Sequence, residues 1–117
     1  MEGDQKQEAA KELPIGTAKF VKPVTLAEVA YTHFQLREPT IDDMFDAELH
    51  LASSGRGVDT PLIFAAEMML RQLIRVFNEG GQEFKGPFTM NMLKSFGTRN
   101  YSVIRRTQME VELLGEG

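Results

Sequence analysis

The sequence predicts an α+β fold: an N-terminal β-hairpin packed on three to four α-helices, mostly helical and built as one domain. Three observations predict it. Strand formers in period-two alternation dominate residues 18–36, and apolar residues recur at helical spacing from Thr40 onward. The chain of 117 residues is sized for a single core, and such a domain buries roughly two-thirds of its unfolded surface. Apolar residues make up 42% and charged residues 26%, an ordinary globular composition. The expected organisation is a disordered lead at 1–12, one α+β domain at 13–114 and a frayed tail at 115–117.

The lead carries Glu2, Asp4, Glu8 and Glu12 against Lys6 and Lys11, with no aromatic or β-branched residue. It has too little apolar surface to offset the entropy of ordering. The first strand runs through Phe20-Val21-Lys22-Pro23-Val24-Thr25-Leu26, and Pro23 confines it to a sheet edge. In the second, Ala30, Thr32, Phe34 and Leu36 share the apolar face, while Val29, Tyr31, His33 and Gln35 take the polar one. Very little chain separates the two strands, so they pair as a hairpin whose turn lacks Gly or Asn.

Pro39-Thr40-Ile41-Asp42-Asp43 starts a helix, with Thr40 as cap and Asp43 in capping-box position. Ile41, Met44, Phe45, Leu49 and Ala52 are its expected core stripe, opposite Asp42, Asp43, Asp46 and His50. It stops near Ser53-Ser54-Gly55. The longest helix is capped by Thr60, begins at Pro61 and ends at Gly80-Gly81, with Leu62, Ala66, Met69, Leu70, Leu73, Ile74 and Phe77 as its stripe. A short helix follows over 90–96, opened by Thr89 and closed by Gly97. Thr98 caps the last one, whose Tyr101, Ile104, Gln108 and Val111 lie on one side.

Cysteine is absent, which excludes disulfides, thiolate metal sites and Cys nucleophiles. The two histidines, His33 and His50, have no nearby Gly-flanked Ser, so no triad is indicated. Asp43, Asp46 and His50 share a helix face and could touch a divalent ion, but they are too few for a dedicated site and read better as solvated. The glycines follow no phosphate-cradle spacing. The expectation is a protein that is not an enzyme and uses no cofactor or metal. No apolar run reaches the roughly 20 residues of a membrane span, and the N-terminus has no signal-like stretch. A cytoplasmic location is therefore expected.

Charge is unevenly placed. Residues 37–59 hold six acids against Arg37 and Arg56, whereas 85–106 hold Lys85, Lys94, Arg99, Arg105 and Arg106 with no acid. These are either two solvated faces or a polarised surface that steers a partner or another copy of the chain. Residues 89–108 also read as a helix-turn-helix unit with Arg99, Arg105 and Arg106 on its second helix, which makes a small DNA-binding regulator the alternative function. Arg106 stands where that unit wants an apolar residue, and the net charge of −4 is not a basic footprint. Six of seven methionines fall in the expected helices, and Met68, Met90 and Met92 are the ones placed to face a partner.

Phe20-Val21-Lys22-Pro23-Val24, a hairpin, and then Phe34-Gln35-Leu36-Arg37-Glu38-Pro39-Thr40-Ile41-Asp42-Asp43 resemble the Mu-like tail assembly chaperone family of contractile-tailed phages and prophages. The motif Leu36-Arg37-Glu38-Pro39-Thr40 matches as it stands. Thr98-Arg99-Asn100-Tyr101 looks like that family's final helix start, with Asn100 where Asp is commoner. The resemblance covers residues 18–113. It implies a non-catalytic cytoplasmic factor that binds the tape measure protein during tail assembly and is absent from the finished particle. Such a partner calls for an adaptable apolar groove, and Met68, Phe88, Met90 and Met92 are the residues expected to line it.

Overall fold

A computed structural model describes residues 13–55 and 61–116. The expected lead at 1–12, the Thr60 cap with its preceding loop, and Gly117 lie outside the described residues. Two strands, β1 (Thr17–Leu26) and β2 (Val29–Leu36), are followed by helices α1 (Ile41–Ser53) and α2 (Pro61–Gln72). Strands β3 (Leu73–Phe77) and β4 (Glu83–Phe84) come next, then helices α3 (Met90–Ser95) and α4 (Thr98–Glu116). The fold is α+β, with one antiparallel sheet in the order β1-β2-β3-β4. Pro23 does sit on an edge strand. Helix α4 lies across β1 and β2, while α1 rests on α2.

The hairpin turn is two residues long, between the pair Leu26 and Val29. Ala27 at φ 50° and Glu28 at φ 67° both occupy the left-handed region that the tightest hairpin turns require. Side chains there are strained by about 1 kcal/mol each. Replacing Ala27-Glu28 by Asn-Gly should therefore stabilise the domain by about 1 kcal/mol. A thermal or urea midpoint that fails to rise would show that the turn is not strained.

Strand β1 bulges where Pro23 cannot donate to a ladder. Lys19 pairs with His33 and Val24 with Tyr31, so β1 spends more residues than β2 on the same span. Such an irregularity sharpens local twist. It also corrects the simple alternation expected of β2: Tyr31 is buried with Phe34 and Leu36, while Ala30 is exposed. Asn100, buried at the start of α4, closes the gap in the ladder. Its Oδ1 accepts from the Val21 and Lys22 amides at 2.8 and 3.2 Å, and its Nδ2 donates to the Lys22 and Phe96 carbonyls at 2.9 and 3.0 Å.

The long helix expected from Pro61 to Gly80 is instead a helix and a strand. Chain from Leu73 turns into β3, which pairs Phe77 with His33, Val76 with Phe34 and Arg75 with Gln35. Leu73 and Val76 suit a helical stripe and a strand equally, and β-branched Ile74 and Val76 favour the strand. The decision is non-local. Without β3 the second edge of β2 would be open, and pairing there buries Val76 completely beside Phe34. Gln72 marks the junction: its carbonyl accepts from Arg37 N at 2.9 Å and its Nε2 donates to Arg37 O at 3.0 Å. Its Oε1 accepts from Gln108 Nε2 at 2.9 Å, which ties α4 to the same point.

Helix α1 starts as expected. Thr40 Oγ1 accepts from Asp43 N at 3.0 Å and Asp43 Oδ2 accepts from Thr40 N at 2.9 Å, a complete capping box. Its orientation is the reverse of that expected. Asp43, Ala47 and Leu51 face inward, while Ile41, Met44, Phe45 and Leu49 are exposed. The buried face is chosen by the Asp43 ion pair described below, and small Ala47 lets α1 approach α2 closely. At the other end of the chain, Thr98 is the first residue of α4 and Gly97, at φ 92°, takes the capping place, its carbonyl accepting from Tyr101 N at 2.9 Å. Helix α4 runs to Glu116.

Candidate functional site

An apolar groove of about 400 Å³ opens where α2, α3 and α4 meet. Leu62, Ile63 and Ala66 form one wall, Met90 and Leu93 the other, and Gly97 and Tyr101 the end, with Lys94 at the rim. The turn at Gly97 sets α3 at an angle to α4, which separates the walls. Leu62, in the first turn of α2, leaves 67% of its surface in water. The Tyr101 hydroxyl has no hydrogen-bond partner among the described residues, and burial raises its pKa above the ordinary phenol value. The groove's chemistry is contact with apolar side chains, and its flexible Met90 can repack around different ones.

The structure divides the four residues expected to contact a partner. Met90 lines the groove. Phe88 meets Phe84 edge-on at 5.4 Å and shares with Met90 a second depression beside His50, Glu67, Leu70 and Arg71. Met68 is 5% exposed and lies in the wall of a cleft between α1, α2 and α4, with Met44, Phe64 and Arg105. Met92 is half-buried against the core. Leu62 and Tyr101 are the lining residues that pattern reading assigned to the core instead. A sequence signal for them exists in the short helix and Gly97 stop, which force two helices to diverge next to the start of a third.

The polar candidates have structural partners. Arg37 grips Asp43 with two hydrogen bonds of 2.7 and 3.0 Å and donates a third, of 2.8 Å, to the Arg71 carbonyl. That guanidinium, with the Thr40 bonds, holds the Asp43 carboxyl below its usual range against the opposing effect of burial. Burial alone would raise buried Glu67. Hydrogen bonds from Arg71 at 2.8 Å and His50 at 3.0 Å outweigh it and leave Glu67 below the usual range. His33 contacts Thr32 Oγ1 at 2.7 Å and stacks on Phe77, and burial lowers its pKa. Asp43 and His50 are thus engaged in different pairs, and no cluster of three metal-binding side chains forms among the described residues.

The segment 89–108 does form a short helix, a turn and a longer helix. Arg99 and Arg106 are exposed, while Arg105 is held by Gln108 Oε1 at 2.8 Å and Glu112 at 3.7 Å. The opposite face of α4 is committed to β1 through Asn100 and to the core through Ile104.

Compared with protein-family models, with curated proteins and with solved structures, the chain has no match in any of the three. No helix among the described residues is long and apolar enough to cross a membrane.

Proposed function

We propose that this chain is a non-catalytic tail assembly chaperone of a contractile-tailed phage or prophage, binding apolar helical segments of a tape measure protein in the host cytoplasm. The observation that carries the reading is the open apolar groove between α2, α3 and α4, with exposed Leu62 and adaptable Met90 on facing walls. A helix-in-groove mode needs such a trough and little else. The class of partner comes from the resemblance at Leu36-Arg37-Glu38-Pro39-Thr40. A long amphipathic protein made before its tube exposes apolar stripes and aggregates unless they are covered.

Co-expression tests it. The tape measure protein should remain soluble and co-purify with this chain. Replacing Leu62 and Met90 by Asp should abolish co-purification, and Leu62→Asp alone should weaken it while leaving the unfolding free energy within about 1 kcal/mol of the parent, because Leu62 is mostly exposed. A tape measure protein equally soluble without this chain would overturn the proposal. Mobility shifts with duplex DNA at low salt, where phosphate contacts are strongest, should show no binding. A shift there would return the function to Arg99 and Arg106.

A further inference from the structure

We propose that α1 of one copy docks on the α2–α3–α4 groove of a second copy, so that the chain associates head to tail through the surface that receives its partner. The inference rests on the groove being a binding surface, but its test involves no tape measure protein.

Helix α1 presents an apolar stripe that no element among the described residues covers. Ile41, Phe45 and Leu49, spaced four residues apart, are 66%, 57% and 66% exposed, with Met44 beside them at 46%. The inward residues Asp43, Ala47 and Leu51 lie two positions along, about 200° round the helix. Those inward residues and the His50–Glu67 contact fasten α1 to α2, so the stripe faces away from its own molecule's groove. A helix of 13 residues offers a ridge roughly 20 Å long.

Charge selects the occupant. Asp42, Asp46 and Glu48 flank the stripe, are exposed, and make no ion pair among the described residues. Two such helices packed on each other would bring their acids together. Lys94 stands on the groove's rim, exposed and without an ion pair among the described residues. Acidic α1 laid in the groove sets its unpaired acids beside Lys94, and like charge disfavours the symmetric alternative. The contact therefore joins two different patches, which generates rings or open chains rather than a closed dimer. A single helix face is small beside the roughly 800 Å² that each partner contributes to a standard interface, so the association is weak and concentration-dependent. It keeps both apolar surfaces covered until a partner displaces α1.

Sedimentation velocity on the full chain across the micromolar range tests this. The mean mass of the parent should rise with concentration past that of a dimer. Phe45→Glu, which blocks the stripe, and Leu62→Glu, which blocks the groove, should each be monomeric at concentrations at least tenfold above the parent's transition. Their equimolar mixture should form a heterodimer and nothing larger, because only one pair of complementary surfaces survives. Asp46→Lys and Lys94→Glu should each weaken association, and the two together in one chain should restore it. A parent that stays monomeric throughout, a Leu62→Glu variant that still dimerises, or a mixture that stays monomeric would each overturn the proposal. Circular dichroism of each variant confirms that it is folded, and a variant that is not is replaced by Leu49→Glu or Met90→Glu.

Discussion

Asn100→Asp should cost about 3 kcal/mol of stability near neutral pH, the largest effect expected of any single isosteric change in this chain. The Asn100 amide is used on both sides. Its oxygen accepts from two β1 amides, which a carboxylate would also do, but its nitrogen donates to the carbonyls of Lys22 and Phe96. An aspartate donates nothing when ionised and would set a negative oxygen against two carbonyl oxygens in a position only 4% exposed. The fold would therefore favour the protonated acid and raise its pKa. A group raised in the folded state adds stability below its unfolded pKa and loses it as pH rises through the folded one. The deficit should be full near pH 7 and should shrink as the solution is acidified to about pH 4. Urea midpoints of parent and variant across that range provide the check. Equal midpoints at neutral pH would mean that the β1 bulge does not depend on this clamp. The β1 bulge demands donors as well as acceptors at this position, and Asn100 supplies both.

What could be read in the sequence follows the range of the interaction that decides each element. The Thr40 and Thr89 caps, the edge placement of Pro23 and the stop at Gly97 depend on neighbours within a few residues, and all are found. Leu73 to Phe77 fits a helical stripe, and only β2, 37 to 44 positions earlier, makes it a strand. In α1 the largest apolar side chains point outward, because the inward face is selected by the Arg37 guanidinium on Asp43 and by a small residue rather than by hydrophobicity. A pattern rule that buries the most apolar stripe assumes that the molecule is complete alone. Ile41, Phe45 and Leu49 are the stripe that such a rule would bury and that the fold leaves exposed. The candidate site was legible only in part for the same reason: Met90 belongs to a groove that exists only once α2 and α4 converge on α3, and Met68, equally apolar in sequence, is buried in a different wall.

Arg37→Ala should destabilise the domain by about 2 kcal/mol near pH 7, which makes the arginine of Leu36-Arg37-Glu38-Pro39-Thr40 a determinant of fold. Its side chain closes the junction of β2, α1 and α2 with two bonds to Asp43 and one to the Arg71 carbonyl. Asp43 is 10% exposed at its side chain, so losing the cation leaves a carboxylate poorly hydrated, while the 40% exposure of the arginine moderates the Coulombic share through solvent screening. The pH dependence separates this from simple loss of packing. Asp43 has a depressed carboxyl, chiefly through Arg37, and a depressed carboxyl contributes stability above its unfolded pKa that is lost as pH falls through the folded value. The gap between parent and variant should therefore be widest at neutral pH and should close only as pH falls beneath the ordinary carboxylate range, through the depressed value at which Asp43 protonates in the parent as well. Glu67 is unaltered and keeps its own acid dependence in each protein. Arg37→Lys retains the charge but not the planar fork, and should recover less than half of the loss. If Arg37→Ala instead left stability and its pH profile unchanged while abolishing co-purification with the proposed tape measure partner, the motif would be a contact surface and not a structural joint.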